Sequence, residues 1–310
     1  MRHTYFKIRF ELDREEIHRT IDRQIASRIP GYICVVDGVI VNMVQRVPDY
    51  LDVVNGSLFS ICDSGYVPIY IKWIYGLQYK QYAGAEIFRN IVTEGKHRMI
   101  FLGAQQHVLD GLRENLTGWN PEVADMKFVE LPFADVDGFD YPAIARMIEE
   151  DGADIIWVAL GAPKQERFMA RLRPHLKHGV MLAVGAAFKY YSGIPECRRA
   201  PQWMVSAHIE FLYRIFREPK KQIARCFHIV RTLPGILAGE WREKRRREKA
   251  ARRIAEVSPA SSQPASVAHN APKSIAASVN HLINPNVNAA NVSPTMVTHT
   301  VSRAETPVEL

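Results

Sequence analysis

The segment Ile155-Ile156-Trp157-Val158-Ala159-Leu160-Gly161 is an unbroken apolar run that stops at a glycine, and Ala162-Pro163-Lys164-Gln165-Glu166 follows at once. A run this short, bounded by glycine and a polar helix start, reads as a buried strand handing over to a helix. The pattern recurs along the chain. Runs at 32–36, 58–62, 98–103, 127–131 and 180–185, together with the opening segment, alternate with helix-like stretches up to about Pro219. The first of these stretches has Asp13 as N-cap and Glu16 as its capping-box partner, with Ile17, Ile21 and Ile25 on one face. Strands alternating with helices predict an α/β fold, a Rossmann-like, mostly parallel sheet with helices on both faces.

Ligands of such sheets sit at the carboxyl ends of the strands. Three of the runs end in glycine, at Gly103, Gly161 and Gly185. Glycine serves the tight strand-to-helix turn, and helix N-termini beside such turns bind phosphate. Three of them in register favour a nucleotide-type ligand.

Composition narrows the class further. The chain has 310 residues, 47% of them hydrophobic, enough for a sizeable core. No window approaches the roughly 20 apolar residues that cross a bilayer, and the start carries no apolar signal-peptide core. A cytoplasmic protein is expected, with room for peripheral membrane association. None of Cys34, Cys62, Cys197 and Cys226 forms a C-x-x-C pair, so neither a zinc knuckle nor a disulfide framework is indicated. The net charge of +7 gathers between Arg198 and Arg253, which suits an extended anionic partner.

The pattern after Pro201 is helical, punctuated at Pro219 and Pro234-Gly235, and 241–253 is a strongly basic helix. Beyond about Val257 the chain is rich in Ser, Pro, Ala and Asn without an aromatic residue, a composition expected to be disordered. Three parts are therefore expected: a core over 1–200, a basic helical appendage over 201–256 and a disordered tail over 257–310.

Asp63 follows the run 58–62 and precedes Ser64-Gly65. A carboxylate there can reach the ligand crevice as a general base toward a hydroxyl, or cap the helix containing Ile69 to Tyr75. Pro163 fits a first helical position, Lys164 can neutralise a diphosphate and Gln165 can hydrogen-bond a sugar or base. Glu166 suits the acidic first turn of the helix. Arg198 and Arg199 precede a proline-started helix and can grip phosphate. Arg214, Arg217 and Lys221 share a helical face as long as the helix continues past Pro219, interleaved with Phe and Tyr in a manner suited to lipid headgroups.

Taken together, Leu160-Gly161-Ala162-Pro163-Lys164-Gln165-Glu166, Val184-Gly185-Ala186-Ala187-Phe188, Ser192-Gly193, Arg199-Ala200-Pro201, Trp203-Met204, Glu210-Phe211-Leu212-Tyr213-Arg214 and Glu218-Pro219 resemble the WecG/TagA/CpsF glycosyltransferases, glycosyltransferase family 26. The resemblance covers roughly residues 6–221, most closely after Asp154. It implies an inverting, metal-independent transfer of a sugar, often N-acetylmannosamine, from a nucleotide diphosphate to a polyprenyl-diphosphate-linked acceptor at the inner face of the membrane, in cell-surface polysaccharide synthesis. It makes Asp63 the base. Asp37, Gly103, Gly161, Pro163, Lys164, Gln165 and Gly185 fall on the donor side, and Arg198, Arg199, Arg214, Arg217 and Lys221 on the acceptor diphosphate. The chain departs from the family's pattern twice. It has Val35-Val36-Asp37-Gly38 where Thr-Pro-Asn is common, and Ser64 between Asp63 and Gly65.

No cofactor or nucleic acid is expected; an anionic membrane surface is, and a homo-oligomer stays open. A Rossmann oxidoreductase is disfavoured because no complete G-x-G-x-x-G opens a helix after a strand. A non-catalytic protein that holds anionic lipid or nucleic acid through its basic helix is the alternative.

Overall fold

The computed structural model describes residues 3–257 except 198, 207, 208 and 218. Its opening segment, expected as one strand, is a hairpin of β1 (His3–Tyr5) and antiparallel β2 (Ile8–Phe10). The turn is made by Phe6 and Lys7 at φ 52° and 68°, so no glycine or asparagine marks it in the sequence. Helix α1 (Arg14–Ala26) is capped by Asp13, which accepts from the N–H groups of Glu15 and Glu16. The reciprocal half of the capping box is absent. Asp13 N–H donates to Glu11 Oε1 at 3.1 Å, while Glu16 turns outward to Arg19 and Arg23.

The chain continues through β3 (Gly31–Val36), α2 (Gly38–Met43), α3 (Pro48–Asn55), β4 (Ser60–Cys62), α4 (Tyr66–Tyr75) and α5 (Gly84–Glu94). Next come β5 (Met99–Gly103), α6 (Gln106–Thr117), β6 (Lys127–Val129), α7 (Tyr141–Asp151), β7 (Ile155–Ala159), α8 (Lys164–Leu172), β8 (Val180–Ala183) and α9 (Ala187–Tyr191). The eight strands form one sheet in the order β1-β2-β4-β3-β8-β7-β5-β6, parallel except for the first pair.

Strand side chains alternate between two cores. Cys34, Val36, Leu102, Ile156, Val158 and Met181 meet α2, α3, α4, α7 and α8 on one face. Ile33, Phe101, Ile155, Trp157 and Leu182 meet α1, α5, α6 and α9 on the other. Covered on both sides, the central strands can be apolar throughout, which is why they read as continuous runs. Trp157 is fully buried and packs edge-on against Phe88 at 4.8 Å. Burying a large side chain of this kind is worth about 1.5–3 kcal/mol.

This arrangement positions the site. Strand β5 sends its helix to one face while its neighbour β7 sends α8 to the other, and β8 and β3 diverge in the same way. Adjacent strands whose connections leave in opposite directions open a crevice at their carboxyl ends. In-register pairs Gly103–Ala159, Val158–Ala183 and Val36–Cys62 bring those ends to one edge of the sheet.

Beyond the sheet come α10 (Gln202–Ser206), α11 (Glu210–Arg217) and α12 (Pro219–Val257). Pro234, expected to punctuate the chain, lies inside α12. Proline forfeits one backbone hydrogen bond, but Ile236, Leu237 and Trp241 pack against the core just beyond it and hold the helix on course. Glu240 is buried, accepting from Phe6 N–H at 2.8 Å and from the Tyr75 hydroxyl at 2.7 Å. Lys244 Nζ donates to the carbonyl of Ile74 at 2.7 Å. The chain divides into two units, Met1–Lys244 and Arg245–Leu310, and the described part of the second is helical. The tail expected to be disordered lies, past Val257, outside the described residues. Among the described residues no helix is long and apolar enough to cross a membrane.

Candidate active site

Five of the residues singled out in the sequence follow strand ends on the same sheet edge: Asp37 after β3, Asp63 after β4, Gly103 at the end of β5, Gly161 after β7 and Gly185 after β8. Asp63 does not cap the helix next to it. The N-cap of α4 is Gly65, with no side-chain hydrogen bond, and Ser64 Oγ accepts from Tyr66 N–H at 3.2 Å. The carboxylate reaches across instead to the start of α5, where Oδ1 accepts from Gly84 N–H at 2.7 Å. Its main chain is fixed as well. Asp63 N–H bonds Val36 O at 3.0 Å, and the Gln81 side chain donates to Asp63 O. The result is a half-buried carboxylate aimed by the backbone of another element.

Asp37 caps its own helix, with Oδ1 accepting from Val39 and Ile40 N–H at 2.9 and 3.0 Å. At β5, Gly103 has φ +103°, and a Cβ there would lie 2.7 Å from Ala159 O, so only glycine fits. The N-terminus of α6 beyond it is occupied by a residue not singled out in the sequence: Glu130 Oε2 accepts from Gln106 N–H at 2.9 Å. Helices α2, α5 and α6 thus each begin on a carboxylate, whereas α8 begins with no side-chain cap. A helix start is partly positive, and one already holding a carboxylate is a poor phosphate site. The five-residue α9 also begins without a side-chain cap, so what distinguishes α8 is the Lys164 ammonium in its first turn.

Helix α8 begins at Lys164, one residue later than expected. Gly161, at φ +77°, turns the chain so that Pro163 falls at the N-cap. Lys164 Nζ lies 5.5 Å and 5.1 Å from the ring centres of Phe133 and Phe139. Phe139 is core, but Phe133 is wholly exposed, and no motif or spacing marks it in the chain.

Gln165 is buried, and both ends of its carboxamide are engaged. Oε1 accepts from Gly161 N–H at 3.0 Å and Nε2 donates to Glu166 Oε1 at 2.9 Å. Gly185 closes over this group, since a Cβ there would come within 3.3 Å of Gln165 Oε1 at a φ of +49°. Glu166, expected as a helix-end residue, is completely buried, with Oε2 receiving the Tyr50 hydroxyl at 3.1 Å. Burial pushes its carboxyl up to about 7, and the nearby Asp37 adds to the rise; hydrogen bonds from Gln165, from its own backbone N–H and from Tyr50 oppose it. Sequence spacing could not single out Tyr50, which comes from α3 on a different connection.

Arg214 and Arg217 lie in α11 and Lys221 in the first turn of α12, on either side of residue 218, which lies outside the described residues. Arg199 pairs with Glu210 at 3.3 Å and lies over the Tyr190 ring, and Arg217 donates to Glu196 O. Arg198 and the side chains of Arg214 and Lys221 lie outside the described residues. Among the described residues no group of three or more His, Cys, Asp or Glu is placed to hold a metal ion.

The model of the Glycosyl transferase WecG/TagA/CpsF family matches residues 4–250. The chain belongs to that family. Within it, two relatives are similar over their shared part. One is the N-acetylglucosaminyldiphosphoundecaprenol N-acetyl-beta-D-mannosaminyltransferase of Bacillus subtilis (strain 168), 30% identical over 142 residues, which are 44% of this chain and 52% of that protein. The other is the enzyme of the same name from Bacillus spizizenii (strain ATCC 23059 / NRRL B-14472 / W23), 28% identical over 143 residues, 45% of this chain and 52% of that one. The chain spans about half the length of the curated relatives it matches. In this WecG/TagA/CpsF family member, then, the conspicuous loop at Gly161 and the strand-end carboxylate Asp63 stand on one sheet edge, with β3 and β8 between their strands.

Proposed function

We propose that the protein is an inverting glycosyltransferase. It moves a sugar, N-acetylmannosamine or a related hexose or N-acetylhexosamine, from a nucleotide diphosphate to a polyprenyl-diphosphate-linked acceptor in cell-surface polysaccharide synthesis. The observation that carries the reading is the Asp63 carboxylate, held at the carboxyl edge of the sheet by Gly84 N–H at 2.7 Å. In this reading Asp63 accepts the proton of the acceptor hydroxyl as that oxygen attacks the anomeric carbon. The bond from that carbon to the diphosphate breaks on the opposite side, and the electron pair leaves with the nucleotide diphosphate. The uncapped start of α8 and the ammonium of Lys164 meet the charge that develops there, so the reading needs no metal. Phe133, exposed beside Lys164, offers a face on which a nucleobase can stack.

Names of the two relatives suggest N-acetylglucosaminyldiphosphoundecaprenol as the first acceptor to try. With it and a panel of UDP- and GDP-sugars, acceptor-dependent release of the nucleotide diphosphate is expected from one donor. Release from none would end the proposal.

The same reading places the protein at the inner face of the cytoplasmic membrane, on an anionic surface. Trp203, Phe216, Ile223, Phe227 and Val230 of α10, α11 and α12 are exposed, and Arg217, Lys220, Arg225 and Arg231 lie among them. Each basic residue near an anionic surface adds about 1 kcal/mol of attraction, and each buried aromatic adds about 1.5–3. Sedimentation with phosphatidylglycerol vesicles should therefore be strong and salt-sensitive, and weak with phosphatidylcholine alone. Phe216→Glu together with Phe227→Glu should cut it about tenfold or more. Equal sedimentation of that variant would exclude this face.

A further inference from the structure

The donor reading uses the Gly161 loop but leaves a buried acid behind it without a task. Glu166 has no exposed surface, and burying a carboxylate is costly unless its oxygens are satisfied. An acidic residue in the first turn of a helix ordinarily faces outward and helps the helix dipole. Its carboxyl accepts from its own backbone N–H in the first turn, but it also turns inward to Tyr50 of α3, a direction that helix formation does not require.

Hydrogen-bond chemistry gives it a task. Gly161 N–H can only donate, so the Gln165 group facing it at 3.0 Å has to be the carboxamide oxygen, and the NH2 end then faces Glu166 Oε1 at 2.9 Å, which accepts. Turned the other way, the carboxamide would set oxygen against oxygen at one end and N–H against N–H at the other. Gly185 then leaves just enough space for the oxygen, with a Cβ position only 3.3 Å away. Four groups from two connections are in this way locked in series: Tyr50, Glu166, Gln165 and the Gly161 main chain.

We propose that Glu166 is a positioning residue for the donor: it fixes the Gln165 carboxamide, which in turn holds the Gly161 turn in shape to receive the donor's phosphates. The proposal rests on the donor-side reading above. Glu166 acts through Gln165 and does not itself touch the donor.

The test compares Glu166→Met, Glu166→Gln and Gln165→Met with the unaltered chain. Met fills the same volume without accepting a hydrogen bond, whereas Gln keeps an oxygen for the Gln165 NH2. Glu166→Met is expected to raise the donor KM about tenfold, the size of one lost hydrogen bond at the wall, with a smaller change in kcat. Glu166→Gln should recover most of that loss. Combining Glu166→Met with Gln165→Met should be no worse than either alone, because both break the same chain of contacts. An unchanged donor KM in Glu166→Met, or fully additive losses, would overturn the proposal.

A second measurement needs no turnover. Hydrogen exchange at the Gly161 amide should speed up about tenfold in Glu166→Met and in Gln165→Met but not in Glu166→Gln. If the unaltered chain transfers no sugar, the glycosyltransferase reading fails and the exchange data still decide whether Glu166 holds the turn. If sugar is transferred and Gly161 exchange is the same in all variants, the role given to Glu166 fails alone. Should Glu166→Met not fold, Gln165→Met and Glu166→Gln carry the same comparison.

Discussion

Asp63→Asn is expected to lower acceptor-dependent turnover by about 10²–10⁴-fold, the usual range for a general base, with no loss of folded protein. Asparagine has the shape of aspartate and keeps an oxygen for the Gly84 N–H, so the bond at 2.7 Å survives along with the start of α5. What it lacks is the ability to take a proton from the acceptor hydroxyl. Asp63→Ala removes both functions. It should be as inactive as the asparagine variant and less stable by about 1 kcal/mol, because Gly84 N–H loses its partner. Donor affinity, read by calorimetry, should change little in the asparagine variant, since the proposed donor site is at α8. Turnover within threefold of the unaltered enzyme would remove Asp63 as the base.

The second large effect is on stability, and it depends on pH. The Glu166 carboxyl, ordinarily at 4.5, is raised to about 7 by burial. The groups facing it are Tyr50 from α3, Cys34 from β3, Asp37 from the turn into α2, and Gln165; the charged one among them, Asp37, repels it further. Below 4.5 folded and unfolded chains both hold the proton, and Glu166 contributes no pH dependence. Between 4.5 and 7 the folded chain keeps a proton that the unfolded chain releases, so stability falls as pH rises. Above 7 both are ionised and the loss is complete, about 3 kcal/mol. Glu166→Gln has no charge to bury. Urea unfolding should show the two proteins diverging as pH rises from 5 to 8, with the variant more stable by about 3 kcal/mol at pH 8. Parallel stability profiles would show that the carboxyl is not raised. Diverging profiles would mean that the family member carries a destabilising carboxyl at a place where the donor KM test asks only for an acceptor oxygen.

The sequence made the centre of the sheet legible and its periphery much less so. Strands β5, β7 and β8 are sandwiched between two helical layers, so every residue is apolar and the ends are marked by glycine. The β1–β2 turn is made by Phe6 and Lys7, and nothing local announces it; its main chain is held by Glu240 and Gln45 from elsewhere. Asp63 was visible as a strand-end carboxylate, yet its partner Gly84 stands 21 residues on and meets it only because α5 packs against the other face. Glu166 looked like any first-turn acid because the tyrosine that draws it inward is 116 residues away. The arginines after α9 were visible as charge. The pairing of Arg199 with Glu210, 11 residues on, depends on how the chain folds back there.

The strand order also acts as a ruler. Strand β4, which carries Asp63, and strand β7, which leads into Gly161, are separated by β3 and β8, so three spacings put their backbones about 14 Å apart. A carboxylate base and a diphosphate repel one another, and an enzyme that needs both must keep them at a distance throughout its cycle. Here that distance is set by hydrogen-bonded strands, which bend far less readily than loops. On the proposed reading a sugar ring lies in the gap, and its two faces meet different chemistry: proton removal on one side, departure of phosphate on the other. An enzyme organised in this way has its stereochemical outcome written into its topology, and changes in the loops would alter which sugar is carried before they altered from which side it is attacked.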